Sequence, residues 1–184
     1  QQQALSLALQ ERPITLIQGP PGTGKTTAIA HLAMELVAKK QRVLLAALTN
    51  TAVDTMLIKL VDAAMQRGDV APPPFLRLGS ARKSPLLAQA LRDHDLDPAH
   101  YFADDLAHHT GTLSAIAEYL DDAKIVATTA HSALSHSAMV YLERHRGRPA
   151  FDVALIDEAS QLTEPMALAP ISAARRFVLV GDHR

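Results

Sequence analysis

Two short stretches carry residue types that could do chemistry together. The first, GPPGTGKTT over residues 19–27, closes a six-residue run between Gly19 and Gly24 and follows it with Lys25 and Thr26. That spacing fits a phosphate-binding loop. Glycines let the backbone curl so that successive N–H groups converge on phosphate oxygens, and the dipole of a following helix adds positive potential. Gly19, Pro20, Pro21, Gly22, Thr23, Gly24, Lys25, Thr26 and Thr27 are therefore the expected nucleotide-binding run. Lys25 would place a point charge on the β- and γ-phosphates, leaving the Thr26 hydroxyl to hold Mg²⁺. The second stretch, VALIDEAS over residues 153–160, ends an apolar run in Asp157 and Glu158. Asp157 suits a magnesium anchor, and Glu158 suits a base that orients and deprotonates an attacking water. Acids are also common at helix N-termini, so this pair alone is weak. Beside a phosphate loop it points to nucleoside triphosphate hydrolysis, because a small-molecule kinase needs no water-activating base there.

These residues need a scaffold that brings them to one edge. ITLIQ (14–18) reads as a short strand, and Ala28, Ile29, Leu32, Ala33, Leu36 and Val37 form a helical stripe behind Lys25. RVLLAAL (42–48) reads as a buried strand, and Val53, Met56, Leu57, Leu60, Val61 and Ala64 return to helical spacing. Residues 68–122 break this rhythm with a proline triplet and mixed charge, and read as an insertion on one edge of the sheet. The alternation resumes at KIVATT, a helix near His131, FDVALIDEAS, a helical stretch over 165–169 and RFVLVGD. Five strands with continuous apolar character predict an α/β fold, a parallel sheet flanked by helices. Ligands in such sheets bind beyond the carboxyl ends of the strands.

Composition narrows the partners. The 184 residues are 48% hydrophobic and 20% charged with a net charge of −1, so nucleic acid would have to be gripped by a local strip. The absence of cysteine removes disulfides and thiolate metal sites. No apolar run is long enough to span a bilayer and no signal-peptide pattern opens the chain, which predicts a cytoplasmic protein without membrane contact. The nine histidines show no metal-binding spacing.

GPPGTGKTT, LTNTAVDTML (48–57), IVATT (125–129), LIDEASQ (155–161) and FVLVGDH (177–183) occur in the order seen in superfamily 1 helicases of the 5′→3′ branch. The chain resembles that family over nearly its whole length, least between residues 68 and 122. The resemblance is strongest to the group holding the Okazaki-flap nuclease-helicase and the nonsense-mediated-decay helicase. It implies a RecA-like P-loop NTPase domain that binds ATP and Mg²⁺, and roles for individual residues. Gln1 matches an adenine-reading glutamine, and Gln161 a link between the nucleotide and the nucleic-acid surface. Asp182 matches a residue coupling the γ-phosphate to that surface. Thr49, Asn50, Thr51, Thr128 and Thr129 match contacts to the nucleic-acid backbone, a task that needs hydroxyls and amides and no base reading. LTNTAVD also reads as a helix N-cap, and the two readings are compatible. Arg77, Arg82 and Lys83 form a modest basic loop that could touch nucleic acid or simply face solvent.

The family's partners would be single-stranded DNA, with RNA possible, and a second RecA-like domain of the same parent chain. Gln1 and Asp182 both lie inside motifs, so residues 1–184 are expected to be one domain cut at both ends from a longer helicase. Two other classes are compatible with parts of this pattern. A ring-forming AAA+ ATPase would share the phosphate loop and acidic pair, although it expects a polar sensor where this chain has LVGDH. A catalytically incomplete nucleotide-binding module is the third, since a missing second domain removes its arginines from the ATP site.

Overall fold

The computed structural model describes residues 6–10, 12–20, 22–110, 113–147 and 149–182, with the backbone alone at 108–110 and 113–115. Gln1 and Pro21, two expected nucleotide-binding residues, lie outside them.

The described residues form a six-stranded sheet flanked by helices. The strands are β1 (Ile14–Gln18), β2 (Val43–Ala47), β3 (Phe75–Arg77), β4 (Ile125–Thr129), β5 (Phe151–Ile156) and β6 (Ala174–Gly181). Their order across the sheet is β1-β6-β5-β2-β4-β3, and every pairing is parallel. The helices are α1 (Lys25–Ala38), α2 (Asn50–Gln66), α3 (Pro85–Asp93), α4 (Ala103–Thr110), α5 (Leu113–Asp122), α6 (Ala130–Ser135), α7 (Ser137–Arg146) and α8 (Glu164–Ser172).

Strand β2 shows why the apolar runs carry no alternation. Val43, Leu45 and Ala47 join a core shared with Leu32 and Leu36 of α1 and Leu57 and Leu60 of α2. Leu44 and Ala46 point the other way, into a core with Leu120 of α5 and Met139 and Leu142 of α7. All five residues of β2, like all five of β4, are buried, as a strand covered on both faces must be. Edge strand β1 is different, with Ile14 and Leu16 exposed and Thr15 buried.

The sheet has six strands where the periodicity predicts five. The additional one, β3, sits inside the 68–122 segment and pairs with β4 in the register Phe75↔Ile125 to Arg77↔Ala127. A strand of three residues, set between Pro74 and Gly79, is too short to show a period, which is why the segment reads as loop. Residues of this segment also enter both cores: Leu87, Leu91 and Phe102 lie on one face and Leu76, Leu106 and Leu120 on the other. Among the described residues no helix is long and apolar enough to cross a membrane.

Candidate functional site

Parallel strands place all six carboxyl ends on one edge, and strand order decides which ends are neighbours. The phosphate loop leaves β1 at Gln18, the acidic pair follows β5 at Ile156, and β6 runs between them. The end of β6 is therefore held between cradle and acids. Gln18 is level with Gly181, and the Gly19 N–H donates to the Gly181 carbonyl at 3.3 Å.

In the loop, Gly22 and Gly24 adopt left-handed backbone, with φ of 79° and 77°. Gly24 is the residue before α1, and its carbonyl accepts the first helical bond, from Ala28 N–H at 2.9 Å. A side chain at Gly24 would meet the left-handed penalty. At Gly19 the limit is space, because an added Cβ would lie 3.2 Å from Thr23 Oγ1. The Thr23 hydroxyl ties the turn by donating to the Pro20 carbonyl at 2.8 Å. Lys25 bends back over the loop, and its ammonium donates to the carbonyls of Gly19 at 2.9 Å and Pro20 at 2.8 Å. It also pairs with Asp182 Oδ1 at 2.5 Å. Thr27 stands half-buried in the first turn of α1.

Opposite the loop, Thr26 Oγ1 donates to Asp157 Oδ2 at 3.1 Å, joining residues 131 positions apart. Asp157 is buried, and its other oxygen accepts from the Glu158 N–H at 2.9 Å. Burial pushes the Asp157 carboxyl above its ordinary value, with Asp182 adding to the rise; the Glu158 N–H, the Thr26 hydroxyl and Lys25 oppose it. The Glu158 carboxyl is also raised, first by burial and then by the Asp157 and Asp182 charges. Glu158 adopts left-handed backbone at φ 53°, a strained state for a side chain that size. That turn directs the chain into a 3₁₀ turn (Ala159–Gln161) and carries Gln161 to the mouth of the site. Gly22, Lys25, Thr26, Asp157, Glu158, Gln161 and Asp182 all line one cavity of about 190 Å³.

This cavity fits magnesium-bound phosphates. It offers one ammonium, a left-handed glycine loop, a hydroxyl and a carboxylate already facing each other, and a second carboxylate beside them. Mg²⁺ usually takes only one or two protein ligands and completes its shell with water and phosphate oxygens, the number Thr26 and Asp157 provide. Among the described residues no group of three or more His, Asp or Glu is placed to hold a metal by itself.

Farther along the edge lie the expected nucleic-acid contacts. Thr49 caps α2 by accepting from Ala52 N–H at 3.1 Å, and Thr49, Asn50 and Thr51 are exposed. Capping and exposure thus coexist at this position. Thr128 and Thr129, at the end of β4, are buried. The Thr128 hydroxyl donates to the Thr129 carbonyl at 3.3 Å, and Thr129 caps α6 by accepting from Ser132 N–H at 3.2 Å. In the sheet they are level with Ala46 and Ala47, the last residues of β2 before the Thr49–Thr51 turn.

Arg77 departs from the loop reading. It is 2% exposed, with its guanidinium donating to Asp54 Oδ1 at 2.9 Å, to Asn50 Oδ1 at 2.7 Å and to the Leu78 carbonyl. Only Arg82 and Lys83 remain exposed in that basic stretch. The signal for Arg77 was present in the sequence, since Asn50 and Asp54 are four apart and share a helix face. What the sequence hid was the strand that delivers an arginine to that face.

A protein-family model described as an AAA domain matches residues 1–101 and 99–184, which together span the chain. Among curated proteins, the chain is similar to the "DNA replication ATP-dependent helicase/nuclease DNA2" of Mus musculus, at 38% identity over 184 residues. The Homo sapiens protein of that name is 36% identical over 184 residues, and the Saccharomyces cerevisiae one 30% over 183. Each alignment covers 100% of this chain but only 15%, 15% and 10% of the relative. Among solved structures, the UvsW helicase from bacteriophage T4 superposes with a TM-score of 0.59 at 15% identity, covering 97% of this chain and 50% of that one. At that identity the likeness speaks for the fold, which is RecA-like.

Proposed function

This chain belongs to the AAA domain family, and from that premise we propose that it is the ATP-binding and hydrolysing core of a superfamily 1 helicase or translocase acting on single-stranded nucleic acid, DNA in preference to RNA. The observation that carries the reading is the cavity where Lys25, Thr26, Asp157, Glu158, Gln161 and Asp182 converge. DNA is favoured because the names of the mouse and human relatives refer to DNA replication. The chain spans about 15% of the mouse and human relatives, so unwinding belongs to a longer protein in which a second RecA-like domain completes the ATP site. A cytoplasmic location is part of this reading.

When bound, magnesium-ATP supplies the scissile bond and the cation that neutralises phosphate charge. The chain's own residues do the rest. Loop amides and Lys25 hold the phosphates, and Lys25 exchanges the Asp182 carboxylate for them. Thr26 and Asp157 hold the magnesium. Glu158 orients the attacking water and takes its proton. Asp182, released from Lys25 at the end of β6, and Gln161, at the cavity mouth, carry the phosphate state outward. Thr49, Asn50 and Thr51 then meet the strand's phosphates, with the buried Thr128 and Thr129 closing the neighbouring strand β4.

The other reading is a ring-forming AAA+ ATPase. The carboxylate of Asp182 paired to Lys25, where that class expects a neutral polar sensor, favours the helicase reading. Glu158→Gln in the protein at its natural length tests the assignment. It should lower magnesium-dependent ATP turnover by at least about a hundredfold, as losing a general base does, while a fluorescent ATP analogue still binds. Turnover near that of the unaltered protein would refute Glu158 as the base.

A further inference from the structure

We propose that Arg77 is a positioning residue for nucleic-acid binding: it fixes the Asn50 amide so that its N–H donors face the phosphates of a bound strand. The inference rests on the single-strand reading above and adds to it a buried residue that touches no ligand.

A guanidinium donates and cannot accept, so only the oxygen of an amide can face it. Arg77 Nη2 lies 2.7 Å from Asn50 Oδ1, which settles the amide's orientation and turns its nitrogen away from Arg77. Asn50 is exposed at the start of α2, on the carboxyl edge that also carries the nucleotide cavity. An outward amide nitrogen offers two donors to anionic phosphate oxygens, whereas a flipped amide would present its oxygen and repel them.

The orientation holds only because Arg77 is itself fixed. Its Nε donates to Asp54 Oδ1 at 2.9 Å and its Nη1 to the Leu78 carbonyl, so all three directions of the fork are used. Asp54 is buried and sits one helical turn from Asn50, so a single guanidinium reaches both. β3 delivers the arginine, because Arg77 pairs with Ala127 at the edge of the sheet. A lysine at this position keeps the charge but lacks the planar fork, and cannot hold Asp54, Leu78 and Asn50 together.

The test measures affinity for a labelled single-stranded DNA oligonucleotide, with melting temperature, in the protein at its natural length. Its variants are Asn50→Ala, Arg77→Lys, the double variant and Asn50→Asp. Asn50→Ala should weaken binding about tenfold, as losing a hydrogen bond to a charged group does. Arg77→Lys should weaken it similarly, and the double variant should bind no worse than either single one, the non-additivity expected of residues acting as one unit. Asn50→Asp keeps a partner for Arg77, so its melting temperature should hold while binding falls. Losses that add in the double variant would overturn the proposal, as would wild-type affinity in Arg77→Lys or Asn50→Ala. If Arg77→Lys does not fold, Asn50→Asp decides: unchanged affinity overturns the proposal and a loss at unchanged melting temperature supports it. A wild-type protein that binds no single strand would instead refute the proposed function itself.

Discussion

The smallest features of the site are backbone conformations. Gly24 holds φ at 77° where α1 begins, and the helix places Lys25 and Thr26 in the proposed phosphate site only if that turn is kept. Gly24→Ala forces a Cβ into left-handed backbone, at a cost of about 1–2 kcal/mol. The variant should melt correspondingly lower and bind ATP more weakly, which calorimetry on the purified protein would measure; unchanged values on both counts would show that the turn tolerates a side chain. Glu158 accepts a similar strain at φ 53° without being glycine. A residue held against its preference at the base position is what a site that needs the carboxylate in one direction would retain.

At the scale of elements, the edge strand β3 matters more than its three residues suggest. It carries Arg77 to Asp54, a pair buried beneath α2, and Phe75 against Tyr101 with ring centroids 4.7 Å apart. Asp54→Ala leaves a buried guanidinium without its carboxylate, and such losses cost about 3–5 kcal/mol. Denaturant unfolding should register that drop, and a change below about 1 kcal/mol would mean the pair is not needed. Tyr101 supplies a pH test of the same corner. Burial pushes its phenol above the ordinary value of 10.0, so the folded state holds that proton to higher pH than the unfolded chain. Its contribution is therefore complete below pH 10 and is lost as pH rises above it. Tyr101→Phe should remove this component, and stability curves of the two proteins that stay parallel above pH 10 would contradict it. The same corner shows where the sequence was legible and where it was not. β2 and β4 are buried on both faces and β5 nearly so, and such strands read as apolar runs; β6 is buried on alternate residues, yet its FVLV run is continuous. β3 shows no such run, since its neighbours are prolines and glycine, and Arg77 in its last position looks like surface charge. The proposed nucleotide residues stand out one by one, because loop spacing and the Asp–Glu pair are local patterns. The Lys25–Asp182 pair and the Arg77 fork join distant segments, and only strand order brings them together.

Across the whole molecule, one sheet edge carries both proposed sites. The nucleotide cavity sits where β1, β6 and β5 end, and the exposed Thr49–Thr51 turn follows β2, the next strand over. The Asp157 N–H donates to the Ala46 carbonyl at 2.9 Å, so the proposed magnesium anchor and the strand leading to that turn are directly bonded. A phosphate-dependent shift at Asp157 or Asp182 thus has a short path to the surface proposed to grip nucleic acid. The most direct measurement of that coupling is ATP turnover by the protein at its natural length, with and without single-stranded DNA and RNA of matched sequence. Single-stranded DNA should raise turnover severalfold and more than RNA does, and Lys25→Ala should abolish both basal and stimulated rates. Turnover that responds to neither nucleic acid would contradict the coupling.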